Sequence, residues 1–210
     1  MYNLDKAYSQ KFYDQRKSLA WRVPIVVDAI MQVMAPKSVV DVGCGNGDLL
    51  GGFSQKIKAP CYGIEGTPAA LHAIDETLGR SVFTSSTTPN YIFMRDLRGP
   101  LNDLLLHKID LAICFEVAEH IEEEYANIFV DNLCSLSDRI LMTAAPPGQG
   151  GNHHVNCQTY AYWLYKFLGK GYRYDHTVVD QLKDIWRPWR HKKGIKAYYN
   201  NLMCWERIEK

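Results

Sequence analysis

The sequence has no CxxC pair, no apolar run long enough to cross a bilayer, and no surplus of charge of either sign. Its six cysteines (Cys44, Cys61, Cys114, Cys134, Cys157 and Cys204) stand singly. Such spacing excludes a disulfide scaffold and reads as reduced thiols packed as small hydrophobes in a reducing compartment. The longest apolar stretch, Val23 to Met34, is broken by Asp28 and Gln32 and is too short to span a membrane. The opening segment MYNLDKAYSQKFYDQRK has no apolar core followed by small residues, so no secretory leader and a cytoplasmic location are expected. Lys and Arg total 24 against 23 Asp and Glu, a formal net charge of +1, which argues against a general nucleic-acid coat. What is present is 210 residues with 47% hydrophobic and 22% charged side chains, enough for one soluble folded domain and incompatible with a mainly disordered chain.

Short apolar runs alternate with helix-like stretches through the middle of the chain, as in a layered α/β sheet. The runs Ser38–Val42, Cys61–Glu65, Tyr91–Arg95, Leu111–Phe115 and Arg139–Ala144 suit strands covered on both faces. Helices are expected at Leu19–Val33, Asp48–Ile57, Pro68–Leu78, Pro100–Leu106, Glu119–Cys134 and Thr159–Leu168. Thr67 before Pro68 reads as an N-cap, and Gly79 as a stop. The polar stretch Arg80–Asn90 reads as a surface loop, and a last strand is expected at Asn201–Arg207. No internal repeat is visible.

The sharpest signal is VVDVGCGNGD, residues 39–48, placed where the first strand gives way to a helix and a parallel sheet opens into a ligand crevice. Glycines let the main chain turn tightly and approach a ligand closely. Glu65 ends the second strand 22 positions after Gly43, where a carboxylate can accept hydrogen bonds from a ribose diol. A nicotinamide fingerprint would carry a third glycine where Asp48 stands. Asp41 at the mouth of the loop would repel a pyrophosphate, but it suits a ligand bearing an ammonium and a sulfonium.

With these residues the sequence resembles the class I S-adenosylmethionine-dependent methyltransferases. The matching motifs are VVDVGCGNGD (39–48), YGIEGTP (62–68), FMRDL (93–97) and DLAICFEVAEHI (110–121), within residues 35–145, about half the chain. The resemblance implies a Rossmann-like, seven-stranded, mostly parallel sheet with helices on both faces and its last strand antiparallel. It implies one domain over 1–210, with 1–34 a helical cap, 35–145 the cofactor-binding core and 146–210 the substrate loop and C-terminal part. The cofactor would be S-adenosyl-L-methionine. Asp41, Gly43 and Gly45 would flank its methionine part, Glu65 its ribose, Asp96 and the Leu97 main chain its adenine, and Phe115 and Glu116 its methyl end.

A hydroxyl acceptor is a poor nucleophile, and a nearby base helps it. His153 and His154 lie in the Gly-rich segment PPGQGGNHHVN, and His120 follows the fourth strand. That segment resembles the loop after strand five in methyltransferases of glycan and small-metabolite synthesis, which ranks His154 first as base, His153 second and His120 third, with Asn156 as an acceptor ligand. No metal ligand set is legible, because adjacent histidines on an extended loop diverge and no Asp or Glu partner is fixed at a telling distance. Trp163 and Trp186 are candidate sugar-stacking rings, while Phe167 and Trp205 read as core. Tyr8, Phe12 and Tyr13 are candidates for a lid, with Tyr13 reaching the substrate.

The leading reading is O-methylation of a sugar, glycan or related small molecule. A methyltransferase for RNA or protein is the alternative: Lys166–Lys196 carries nine Lys/Arg against three Asp/Glu, interleaved with aromatics that could stack bases. Leu101–Asp138 reverses that balance, with nine acidic residues against Lys108 alone. A cofactor-binding partner subunit without catalysis is the reading from another class.

Overall fold

The computed structural model describes residues 8–78, 90–101, 103–105 and 107–209, with Asn90 described by its main chain only. Gly79 and the polar stretch 80–89 fall outside the described residues, so the helix stop and the loop expected there belong to the sequence alone. Five strands coincide with the five apolar runs to within one residue at either end: β1 (Val39–Val42), β2 (Cys61–Glu65), β3 (Asn90–Met94), β4 (Leu111–Phe115) and β5 (Arg139–Thr143). β6 (Tyr172–Tyr174) was not expected, and β7 (Leu202–Arg207) is the expected last strand. The seven form one sheet in the order β3-β2-β1-β4-β5-β7-β6. β1 with β2, β2 with β3, and β4 with β5 are parallel, and β7 runs antiparallel to both β5 and β6. The chain divides into two compact units, residues 1–96 and 97–210.

In the first unit, every residue of β1 is buried, as a strand covered on both faces requires. The helix Arg22–Met34 buries Val26, Val27, Ile30 and Met34, a stripe at helical spacing. The next helix, Asp48–Ser54, lies against it at Gly52, where a Cβ would come within 2.6 Å of Val23 and 2.9 Å of Val27. Only a glycine permits that approach. The helix Ala69–Leu78 buries Ala70, Ala73 and Ile74.

In the second unit, two expected helices take other forms. The helix expected from Glu119 begins only at Ala126 and runs to Leu136, preceded by 3-10 turns at Ala118–His120 and Glu123–Tyr125. The reason is tertiary. The Glu119 carbonyl, which a continuous helix would give to a residue four positions on, accepts instead from the N–H groups of Val155 (2.9 Å) and Asn156 (3.0 Å). The helix expected at Pro100–Leu106 is replaced by turns among its described residues. Asn132 there accepts from the Leu101 N–H at 2.9 Å and donates to the carbonyls of Leu97 and Gly99, pinning the segment in a non-helical course. The helix Tyr160–Leu168 starts where expected, with the Thr159 side chain accepting from the Tyr162 N–H. A helix not expected, His176–Trp186, is capped by Asp175, which accepts from the Val178 N–H. Among the described residues, no helix is long and apolar enough to cross a membrane.

Candidate active site

In the first unit, β1 ends in a turn built on positive φ at Gly43 (74°), Gly45 (58°) and Gly47 (77°), a region that side chains with a Cβ rarely enter. The Ile64 carbonyl accepts from the N–H groups of Gly43 and Cys44 at 2.7 and 3.1 Å. Glu65 then ties this turn to the next one. Its Oε2 accepts from the Gly45 N–H at 2.9 Å and its Oε1 from the Thr67 N–H at 2.8 Å. The Thr67 side chain and the Gly66 main chain also hydrogen-bond to this carboxylate, so it is held as an acceptor.

Asp41, Asp48 and Glu65 are all buried, beside the buried Arg22. Burial, then the charges of Glu65 and Asp48, push the Asp41 carboxyl up to about 8, with Arg22 opposing. Burial also raises Glu65, against the pull of the Thr67 and Gly45 N–H groups. It raises Asp48 as well, offset by Arg22, whose Nη2 lies 3.9 Å from Oδ2. This buried cluster thus sets three carboxylates beside Arg22, a setting that rewards a bound positive charge. Tyr13 packs into a cluster with Tyr8, Cys44, Ala70, Ala73 and Ile74, its ring 4.0 Å from where a Cβ on Gly45 would lie. Burial and the neighbouring Glu65 raise its phenol far above the ordinary value. Asp96 is exposed at the end of this unit.

In the second unit, Leu97 is buried and its carbonyl is taken by Asn132. Phe115 packs on Tyr198 with ring centroids 4.7 Å apart. Glu116 adopts φ 57°, and its N–H donates to the Thr143 hydroxyl at 2.9 Å. Its carboxylate accepts from Gln149 at 3.3 Å and Asn201 at 3.2 Å, while Asn201 also donates to the Gln149 side chain at 3.1 Å. Gln149 and Asn201 escaped the sequence reading, since neither residue type carries a signature and 52 positions separate them.

The three histidines converge. The rings of His120 and His154 meet edge to face at 5.0 Å. Nδ1 of His120 donates to the His153 carbonyl at 3.0 Å, and Nδ1 of His154 to the Gln149 carbonyl at 3.1 Å; a carbonyl can only accept, so each Nδ1 carries the proton. His153 contributes a turn at φ 55° and its carbonyl. Glu119, expected only as a helix-start acid, is fully buried, and one of its oxygens lies within 4.8 Å of a ring nitrogen of His120 and of His154. The expectation that no carboxylate partners the histidines is therefore corrected: the 3-10 turn and the loop place one there.

Two further expectations are corrected. Trp163 and Trp186 are 1% and 0% exposed, so neither offers a face to a sugar. Trp163 packs against Phe129 and Tyr162, and Trp186 belongs to the buried stripe of its helix. Asn156 is buried, its Oδ1 accepting from Gln158 at 2.9 Å and its N–H donating to Glu119, which makes it an anchor of the loop. Phe167 and Trp205 are buried and stacked at 4.6 Å. Arg187, Arg190, Lys192 and Lys193 are exposed.

No family model and no curated protein matches the chain. Solved structures do. The magnesium protoporphyrin IX methyltransferase ChlM from Synechocystis PCC 6803 with bound SAH is 18% identical, with a TM-score of 0.58 over 99% of this chain and 89% of that one. Streptomyces venezuelae DesVI is 13% identical, with a TM-score of 0.65 over 99% and 100%. The [4+2]-cyclase SpnF is 11% identical, with a TM-score of 0.58 over 88% and 81%. The chain has the Rossmann-like fold of the class I S-adenosylmethionine-dependent methyltransferases. That fold also serves a cyclase, so chemistry has to be argued from the site.

Proposed function

We propose that the protein is an S-adenosylmethionine-dependent methyltransferase that methylates a hydroxyl of a sugar, glycan or related small molecule. The observation that carries the cofactor is the buried Asp41–Glu65 pair around a glycine turn. Carboxylates raised by burial gain most from a ligand that brings its own cationic sulfonium and ammonium and no phosphate. Glu65 would accept from the ribose hydroxyls.

The histidines support a hydroxyl acceptor. Methyl transfer is an in-line displacement: the acceptor oxygen forms a bond to the methyl carbon as the carbon–sulfur bond breaks, and sulfur keeps the electron pair. An amine needs only alignment. A hydroxyl must also lose its proton, and two imidazoles with their lone pairs on Nε2, beside the Glu119 carboxylate, are equipped to take it. His154 is the first choice for that role. A second reading rests on the exposed Arg187, Arg190, Lys192 and Lys193, which suit an anionic acceptor, RNA included.

The deciding experiment incubates the protein with isotopically labelled S-adenosylmethionine and candidate acceptor pools, and follows S-adenosylhomocysteine and labelled products by mass spectrometry. Labelled glycans or small sugars are expected, and His154→Ala is expected to lower turnover by about 10²-fold. Label in RNA alone would transfer the reading to the basic segment. A protein that binds the cofactor but forms S-adenosylhomocysteine with none of the acceptor pools would be the non-catalytic subunit.

A further inference from the structure

We infer that Glu119, His120 and His154 form a binding site for a divalent first-row transition cation. One ring nitrogen from each histidine and one Glu119 oxygen lie within 4.8 Å of one another. Ligand bonds of about 2.0–2.2 Å to a shared cation bring donor atoms to about 3–3.5 Å apart, a contraction that modest side-chain rotation supplies.

The second feature is the direction of the rings. His120 gives its Nδ1–H to the His153 carbonyl and His154 gives its own to the Gln149 carbonyl. Donation of the far N–H to a carbonyl is how metal-ligating histidines are held, since it fixes the tautomer and aims Nε2 at the ion. Here both rings have that support, and a ring nitrogen of each lies within 4.8 Å of an oxygen of the buried Glu119.

The third feature is rigidity. The loop bearing His154 is fastened to the turn bearing Glu119 and His120 by two hydrogen bonds to a single carbonyl, from Val155 and Asn156 to Glu119. The two segments that carry the ligands are therefore held together before any ion arrives, and only side-chain rotation is left to close the site. Two imidazoles and one carboxylate favour manganese, iron, cobalt or zinc over magnesium, which prefers an all-oxygen shell. Three protein ligands leave positions open, as in catalytic sites.

As a binding site this stands alone; as a device for activating a hydroxyl it rests on the proposed methyl transfer. An acceptor hydroxyl on an open position would release its proton to water more readily, and its oxygen would then take the methyl as sulfur retains the carbon–sulfur pair. His154 would serve as a ligand and no longer as the proton acceptor.

The test uses the full-length protein after chelator treatment, titrated with Mn2+ followed by electron paramagnetic resonance and with Co2+ followed by visible absorption. One saturable site is expected, with Glu119→Gln and His154→Ala each weakening it about 10-fold or more. His191→Ala, which alters an exposed histidine outside the cluster, should leave it unchanged. Circular dichroism confirms folding, and His154→Ala carries the test if the buried Glu119 variant fails to fold. No saturable binding by the folded wild type, or binding unchanged in His154→Ala, would overturn the site. Cation binding without any S-adenosylhomocysteine formation would uphold the site and overturn the methyl-transfer reading alone.

Discussion

The Gly45 N–H donates to the Glu65 carboxylate at 2.9 Å across twenty positions of sequence, and the Thr67 N–H reaches the same carboxylate at 2.8 Å. One buried side chain thus fixes the two turns that follow β1 and β2. Glutamine in its place has one carbonyl oxygen and one NH2 group, so it can satisfy one of these N–H groups well and faces the other with a donor. An N–H left unpaired in a buried setting costs about 1–3 kcal/mol. Glu65→Gln is therefore expected to lower the melting temperature and, as the proposed ribose acceptor is altered, to weaken S-adenosylmethionine binding about 10-fold or more. Differential scanning and titration calorimetry check the two effects; unchanged values in both would refute this role.

Asp41 leads to a prediction about protons. Its carboxyl is raised from 3.8 to about 8, first by burial and then by Glu65 and Asp48, so between about pH 4 and 8 the folded chain holds a proton that the unfolded chain has released. Stability from this group therefore falls as pH rises through that window. Asp41→Asn is expected to flatten that decline. A cationic ligand favours the ionised carboxylate, so cofactor binding at pH 7 should expel a proton from the wild type. Calorimetry in two buffers of different ionisation enthalpy measures it: the wild-type signal should depend on the buffer, and the Asp41→Asn signal should depend on it less.

The five parallel-type strands were legible because each is a short, largely apolar run; burial of β1, β2, β4 and β5 leaves that mark in the sequence, and β3 shows it although Tyr91 is exposed. The glycine turn and its acidic partners were legible for a related reason: their spacing is local to β1 and β2. Long-range hydrogen bonds hid the rest. Nothing in the run after β4 announces that the Glu119 carbonyl will be claimed by Val155 and Asn156, so its helical periodicity masked two 3-10 turns and the carboxylate they present. Trp163 and Trp186 misled in the opposite direction. Aromatic clustering suggested a sugar platform, whereas the helices carrying them spend both rings on the core. β6 is three residues long and carries too few alternations to register as a strand.

Gly151 decides the position of His154. A Cβ placed on Gly151 would come within 2.0 Å of Nε2 and 2.3 Å of Cε1 of His154, far inside van der Waals contact, because the imidazole folds back over the loop to give its Nδ1–H to Gln149. Alanine at 151 must therefore displace the ring or the loop while leaving every histidine, and the whole glycine turn after β1, chemically intact. Displacing a proton acceptor or ligand by about an ångström costs on the order of 10²-fold in rate. Gly151→Ala is expected to lower turnover by about that factor with S-adenosylmethionine affinity unchanged. Steady-state kinetics with the acceptor found by mass spectrometry, paired with calorimetry of cofactor binding, measure the two quantities separately. Loss of both together would mean that the loop supports the whole fold, and a normal rate would remove His154 from the chemistry.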